Sequence, residues 1–335
     1  MQDVRLPLQI LLQATQQLGL RVENCDDVTH AVVRVSDGRR HFFAGLGKIG
    51  MYPLNPHFAA SLAGDKAWSY QALSQAGFAV PKGKHFFLSD DWREYRPDGR
   101  DSAAALKYAA ELGYPVFAKP NDGSSGVLAE LLLTEAALKE HLAQIAKVSY
   151  VVLVQEYINQ PEYRIFVIDD RVEFVYRRTK PVVEGDGTRT ISDLIASLNA
   201  QIPIVSHQIK IDSPFVLSEF ARLHYTLETV LPQGEQLVVA AHANLASGGT
   251  MVELTHSVPE WLHRWSARVV QTLGLRVAGI DVFSRLPITD AVAEDNLVII
   301  EVNSNPNLAG IYKNEGVEQA VAVWKKILLK FFKSN

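Results

Sequence analysis

Val277-Ala278-Gly279-Ile280-Asp281-Val282-Phe283 and Leu297-Val298-Ile299-Ile300-Glu301-Val302-Asn303 decide the reading of this chain. Each is an apolar run of strand length interrupted by one carboxylate. Side chains alternate along a strand, so Glu301 and Asn303 share a face while Ile300 and Val302 share the other. A lone carboxylate on a core strand is costly to bury without compensation. Two or three oxygen donors on adjacent strands are what a hard Mg²⁺ ion takes, with phosphate oxygens and water completing its octahedron. The alternative is a pair of half-exposed strands whose acids are simply solvated.

The rest of the chain sets limits on that reading. Its 335 residues fit about two domains or one multi-lobed enzyme at about 150 residues per domain. Apolar residues at 47 % and charged residues at 21 % place it among ordinary globular proteins and exclude disordered and fibrous classes. Apolar stretches such as Val127–Leu133 and Val151–Val154 are too short to span a bilayer. The opening Met-Gln-Asp-Val-Arg lacks the basic flank and apolar core of a secretion signal, so a cytoplasmic location is expected. A formal net charge of −4 argues against a nucleic-acid coat. The one cysteine, Cys25, excludes an internal disulfide and any multi-cysteine metal site, and is expected to be a buried or half-buried thiol.

Helices and strands alternate along the chain. Leu8, Leu11, Leu12 and Leu18 make one helical stripe that ends at Gly19. Asp65 is placed to cap a helix carrying Trp68, Ala72, Leu73 and Ala76, stopped by Gly77. A strand from Pro115 to Lys119 runs into the loop Pro120–Gly126, and Thr134 opens a helix with Leu138, Leu142 and Ile145 on its face. Val151–Gln155 reads as a buried strand. Tyr163–Ile168 and Val172–Arg177 read as a hairpin turning at Asp169-Asp170. Residues 200–235, with Pro203, Pro214 and Pro232, read as a helical excursion with loops. Ser257-Val258-Pro259-Glu260 reads as a capping box before a helix carrying Leu262, Trp265, Val269 and Leu273. Mixed sheets around a cleft, an α+β arrangement, fit this order better than one doubly wound sheet.

Lys119, at the end of its strand, either snorkels to the surface or points at an anion, and the small glycine-rich loop after it offers backbone N–H groups to phosphate oxygens. Lys66 is a weaker signal, because lysines in a first helical turn are common on surfaces. Gly45–Gly50 lacks the spacing of a phosphate loop, Gly185-Asp186-Gly187 reads as a turn, and the ten histidines form no metal-ligand spacing. No Gly-x-Ser-x-Gly elbow is present to support a serine hydrolase.

Taken in order, these features resemble the ATP-grasp carboxylate–amine ligases, most of all the ATP-grasp portion of cyanophycin synthetase and of the fused bacterial glutathione synthetase. The resemblance runs over residues 40–330. It is carried by Gly64-Asp65-Lys66, Phe117-Ala118-Lys119-Pro120, Val154-Gln155-Glu156-Tyr157-Ile158, Glu162–Val167, Gly185–Ile191, Asn244–Thr250, Gly279–Val282 and Glu301–Pro306.

The resemblance implies an ATP-grasp fold of three lobes, with ATP held between mixed or antiparallel sheets of the central and C-terminal lobes. The expected lobes are 1–65, a central lid 66–155, and 156–335 with the metal site. It implies phosphate contacts from Lys66, Lys119 and the loop Asp122, Gly123, Ser124, Ser125 and Gly126. Gln155, Glu156, Tyr157 and Ile158 would meet adenine, and Glu162 the ribose. Asp281, Glu301 and Asn303 would hold Mg²⁺, with Mn²⁺ as a substitute. Arg164, Arg178 and Asn244 would be catalytic, the two arginines near the carboxylate and acyl phosphate.

The implied activity joins a small-molecule carboxylate to an amine through an acyl phosphate, releasing ADP and phosphate. An ATP-grasp small-molecule kinase and a non-catalytic ATP-binding regulator are the alternatives. Neither nucleic acid nor membrane is an expected partner, and a homo-oligomer is left open. Two departures stand out: Gln155 occupies a position where many relatives have an acid, and the glycine loop is shorter than in cyanophycin synthetase. With neither a Mur-ligase-like nor a glutamate–cysteine ligase domain in the sequence, neither complete bifunctional reaction is expected of this chain alone.

Overall fold

The computed structural model describes residues 6–46, 50–90, 94, 96–122, 126–203, 205–241, 243, 248–290 and 294–333. Helix α1 (Leu6–Gln17) shares a core with an antiparallel sheet of β1 (Arg21–Asn24), β2 (Val32–Ser36) and β3 (His41–Gly45). Helices α2 (His57–Gly64) and α3 (Lys66–Gln75) follow. Asp65 ends the first and caps the second, its carboxylate accepting from Trp68 N at 2.9 Å. Next come β4 (Gly83–Phe87), α4 (Ser102–Leu112), β5 (Val116–Pro120), β6 (Glu130–Leu132), α5 (Glu135–Ile145) and β7 (Val151–Glu156). Their four strands form a sheet in the order β4-β7-β5-β6, and its core holds Phe86, Val116, Leu138, Ile145, Val152 and Val154.

The third group is β8 (Glu162–Ile168), β9 (Arg171–Thr179), β10 (Val182–Glu184), α6 (Ile191–Asn199), α7 (Pro214–Leu223), β11 (Gln236–Val238), β12 (Thr250–Glu253), α8 (Glu260–Thr272), β13 (Val277–Ser284), β14 (Leu297–Asn303), α9 (Ala309–Glu315) and α10 (Val317–Lys333). Five of its strands form a sheet in the order β12-β9-β8-β13-β14. One face of that sheet, with Tyr163, Ile165, Ile280 and Val282, packs on Leu262, Trp265 and Val269 of α8. Each such apolar side chain contributes about 1.5–3 kcal/mol on burial. That sum holds the strands in register although the other face carries charges that cost several kcal/mol each to dehydrate.

Close backbone approach explains one glycine. A β-carbon at Gly185 would lie 2.6 Å from Leu231 Cβ, so the chain passes the 231–235 turn only with hydrogen there. The excursion 200–235 contributes Ile209, Phe215 and Phe220 to a small core shared with Leu131 of β6, Val183 of β10 and Ile191 and Ile195 of α6.

Several expectations hold. Strands β13 and β14 are adjacent, Thr134 caps α5, and the hairpin β8–β9 turns at Asp169. Others are corrected. Every strand pair among the described residues is antiparallel, so the sheets are not mixed. Of the Asp169-Asp170 pair only Asp169 has a positive φ, 53°. Cys25 is exposed, because it leaves the edge strand β1 for a turn that Asp26 organises by accepting from Val28 N, Thr29 N and Ala31 N. The capping box at Ser257–Glu260 does not form. Ser257 lies in a 3₁₀ turn, and Pro259 occupies the cap position of α8 without a side-chain bond. A true capping box joins Thr190 and Asp193 at α6. Trp68 is 63 % exposed; α3 instead turns Lys66, Ser69, Tyr70 and Leu73 inward, Leu73 into the apolar core shared with α8 and Lys66 and Tyr70 toward β14.

One side chain ties the segment before α2 to this sheet. Asn55 Nδ2 donates to Val277 O at 2.7 Å and Ser304 O at 2.8 Å, and its Oδ1 accepts from Arg276 N and Val277 N, both at 2.9 Å. An amide is the one short side chain that both donates and accepts in this way. Asn55→Ala removes all of these bonds at once and leaves main-chain groups at the start of β13 and beyond β14 unpaired. It is expected to destabilise the protein by about 3 kcal/mol. Urea unfolding measures this; a loss below about 1 kcal/mol would show that water replaces the asparagine without penalty.

Candidate active site

Register places the charged residues side by side. Asp281 lies opposite Glu301 on β14 and opposite Arg164 on β8, and Glu162 lies opposite Arg178 on β9. Opposed residues of an antiparallel pair share a face. Four adjacent strands therefore present Arg178, Glu162, Arg164, Asp281 and Glu301 in one band. Gly279 makes room for it: a β-carbon there would lie 2.9 Å from Arg164 Nη1 and 2.8 Å from Pro306 Cβ.

The band is internally paired. Arg164 grips Asp281 with both arms of its guanidinium, Nη2 donating to Oδ2 at 2.7 Å and Nε to Oδ1. Arg178 Nη1 donates to Glu162 Oε1 at 2.8 Å and lies 3.5 Å from Asp281 Oδ1. Asn303 Nδ2 lies 3.3 Å from Asp281 Oδ2 and 3.4 Å from Glu301 Oε2. Asp281 is only 4 % exposed. Burial works against its charge, but Arg164 and Arg178 more than offset it and hold its carboxyl below the usual range. Burial has the upper hand at Glu162 and raises its carboxyl, despite Arg178.

Two lysines approach from other elements. Lys66, in the first turn of α3, places Nζ 3.1 Å from Glu301 Oε1. Lys119, at the end of β5 in the four-stranded sheet, is 6 % exposed and donates to the Tyr70 hydroxyl at 2.9 Å. Burial pulls its ammonium down to about 8, against the attraction of Glu301, Asp281 and Glu162. Lys119 is therefore no snorkelling surface lysine, and the cleft between the two sheets is where the cations and carboxylates meet. Asn121, just after Lys119, anchors the junction: its amide donates to Asp65 Oδ2 at 2.7 Å and accepts from Ala67 N at 2.8 Å.

The remaining expected residues divide. Gln155 lies opposite Phe117, and thus on the sheet face that carries Lys119. Its Oε1 is buried with no partner among the described residues. Glu156 is engaged in the fold, accepting from Lys82 N at 2.8 Å. Tyr157 accepts a bond from Lys180, which also reaches Asn159 and the Phe215 ring of the excursion. Ile158 is half-buried beside it. Asp122 accepts from Ser149 Oγ at 2.7 Å, and Gly126 has a φ of 72°. Gly123, Ser124, Ser125 and Asn244 lie outside the described residues. Sequence reading missed Tyr70, Asn121 and Asn55. Tyr70 was within reach, being one helical turn beyond Lys66 and so on its face.

Among the described residues no three His, Cys, Asp or Glu side chains converge on one point. A cation in this band would take two carboxylates, Asp281 and Glu301, and the amide oxygen of Asn303, with its other positions left to phosphate oxygens and water. That all-oxygen, partly filled set fits Mg²⁺.

No family model matches the chain. It is 32 % identical over 273 residues to the cyanophycin synthetase of Synechocystis sp., covering 78 % of this chain and 29 % of that one. It is 26 % identical over 348 residues to the glutathione biosynthesis bifunctional protein GshAB of Streptococcus mutans, covering 99 % of this chain and 43 % of that one. The chain thus spans less than half the length of these relatives. Among solved structures, a bifunctional glutathione synthetase from Pasteurella multocida superposes with a TM-score of 0.57 at 18 % identity, over 96 % of this chain and 44 % of that one. No helix among the described residues is long and apolar enough to cross a membrane.

The Lys119 environment has a measurable consequence. Lysine-selective NMR of the ligand-free protein should show one ammonium titrating near pH 8, against about 10.4 for exposed lysines. Lys119→Ala should delete that signal. The unfolded chain keeps this proton to higher pH, so the cost of burying the charge is fully present below pH 8. It is relieved as pH rises toward the ordinary lysine range. A signal near 10.4 would mean that the ammonium is solvated.

Proposed function

We propose that the chain, similar in sequence to cyanophycin synthetase and GshAB, is an ATP-grasp enzyme, an ATP-dependent carboxylate–amine ligase acting on an amino acid or small peptide. The observation that carries this reading is the convergence of Lys66 and Lys119 on the band formed by Asp281, Glu301 and Asn303. Two lysines beside two carboxylates and an amide match the needs of a metal-bound triphosphate. The guanidinium pair Arg164 and Arg178 supplies flat, bidentate donors for a carboxylate or an acyl phosphate.

In the proposed reaction, Lys66 and Lys119 hold the phosphates of ATP, and Gln155 with the stretch to Ile158 holds the base. Asn244 and the loop from Asp122 to Gly126 are assigned here by resemblance. An oxygen of the substrate carboxylate bonds to the γ-phosphorus, the bond from that phosphorus to the bridging oxygen breaks, and ADP leaves. The amine nitrogen then bonds to the acyl carbon, phosphate departs with the former carboxylate oxygen, and the nitrogen loses a proton. Arg164 and Arg178 offset the charge on the transferring group. Bound magnesium would add positive charge at the same place. The proposed lobes are 1–65, 66–155 and 156–335, with α3 at their junction. The proposed location is the cytoplasm, and the partners are the two small substrates.

A screen of amino acids and dipeptides for phosphate release, with mass spectrometry of products, tests the reading. ADP formation should require an acid and an amine together; ADP formed with a single substrate, giving a stable phosphorylated product, would mean a kinase. Glu301→Gln should keep the circular dichroism spectrum and lose at least about a hundredfold in turnover, about 2.7 kcal/mol of transition-state stabilisation. Wild-type turnover in that variant, at saturating magnesium and ATP, would remove Glu301 from the site.

A further inference from the structure

Tyr70 is a buried side chain of the cleft to which the proposed reaction gives no part. It lies one turn beyond Lys66 on the inward face of α3 and is buried. Its hydroxyl makes two bonds of opposite sense: it accepts from Lys119 Nζ at 2.9 Å and donates to Ile300 O. Lys119 Nζ also lies 5.2 Å from the centre of the Tyr70 ring.

Ile300 is no ordinary strand residue. The β13–β14 register slips by one residue, Asp281 facing Glu301 but Val282 facing Ile299, so Ile300 has no cross-strand partner in that ladder. A residue left over at such a slip keeps its main-chain groups for other uses. Here its carbonyl takes the Tyr70 proton. That bond fixes the direction of the phenol and leaves a lone pair of its oxygen for the ammonium of Lys119. A buried ammonium needs an acceptor, and no carboxylate is in contact with Lys119 among the described residues.

We propose that Tyr70 is a positioning residue for Lys119, setting the phosphate-binding ammonium against the metal-binding strand before nucleotide arrives. The proposal rests on the ligase reading of the cleft. Three elements are joined by one oxygen: α3, which also brings Lys66; β5, which brings Lys119; and β14, which brings Glu301 and Asn303. Without the hydroxyl, Lys119 is a flexible cation on a four-carbon stem, and ATP binding must order it.

The test is a double-mutant cycle on ATP affinity, measured by calorimetry with magnesium in wild type, Tyr70→Phe, Lys119→Ala and the double variant. Tyr70→Phe keeps the ring and deletes the hydroxyl, and should weaken ATP binding about tenfold. Lys119→Ala should weaken it about ten- to a hundredfold. The double variant should bind within about twofold of Lys119→Ala, because the hydroxyl acts through the lysine. Unchanged affinity in Tyr70→Phe, or losses that add in full, would overturn the positioning role. A purely structural tyrosine would lower the melting temperature and leave affinity per folded molecule intact. Tyr70→Met serves in the same cycle if Tyr70→Phe does not fold. Failure of the wild type itself to bind ATP would overturn the ligase reading, whereas binding by the wild type with no response at position 70 would overturn only the role of Tyr70.

Discussion

The paired grip of Arg164 on Asp281 is the interaction on which the rest of the structure depends. Asp281 sits mid-strand in a sheet whose other face is a packed apolar layer. Dehydrating that carboxylate alone would cost several kcal/mol. The guanidinium directly opposite removes most of the penalty, and Arg178 and Asn303 supply further contacts. This is possible only in one register. A slip of one residue in β8 or β13 would turn the charges into the α8 core and Ile165 or Ile280 into the cleft. The apolar face and the charged face therefore select the same alignment, and each makes the other affordable.

A second consequence follows from how the charges are matched. Without ligand, the carboxylates that the ligase reading assigns to magnesium are held by Arg164, Arg178 and Lys66. Under that reading, binding exchanges partners within a preformed band instead of assembling one. Asp281 and Glu301 would hold the metal, and Arg164, Arg178 and Lys66, now paired with them, would then face the phosphates and the substrate carboxylate. Preorganisation of this kind limits the reorganisation needed as charge develops.

Much of this was legible in the chain because it is local. Glu301 and Asn303 share a face by alternation alone, Asp65 and Thr134 cap by residue type, and a run of Val, Ile and Ala around one Asp marks β13. What could not be read depends on partners far away in sequence. Asn55 finds the ends of β13 and β14 more than two hundred residues later, and Asn121 finds Asp65. In the sequence Trp68 reads only as one of the apolar residues carried by α3; the helix sets Lys66 and Tyr70 against the carboxylate strand, so those two turn in and the indole turns out. Cys25 departs from the average habit of cysteines because of its own place, a turn off an edge strand that leaves it exposed. The box at Ser257 failed because the preceding 3₁₀ turn uses the chain before the helix begins.

Calorimetric titration of the ligand-free chain with a non-hydrolysable ATP analogue, with and without magnesium, tests the central claim most directly. That claim is that the band centred on Asp281 and the two buried lysines forms one metal–triphosphate site. The account predicts one site per chain, with affinity at least about tenfold higher when magnesium is present, since Asp281 and Glu301 would hold the metal and a bound metal would add affinity for the triphosphate. Absence of binding with magnesium, or equal affinity with and without it, would contradict the account.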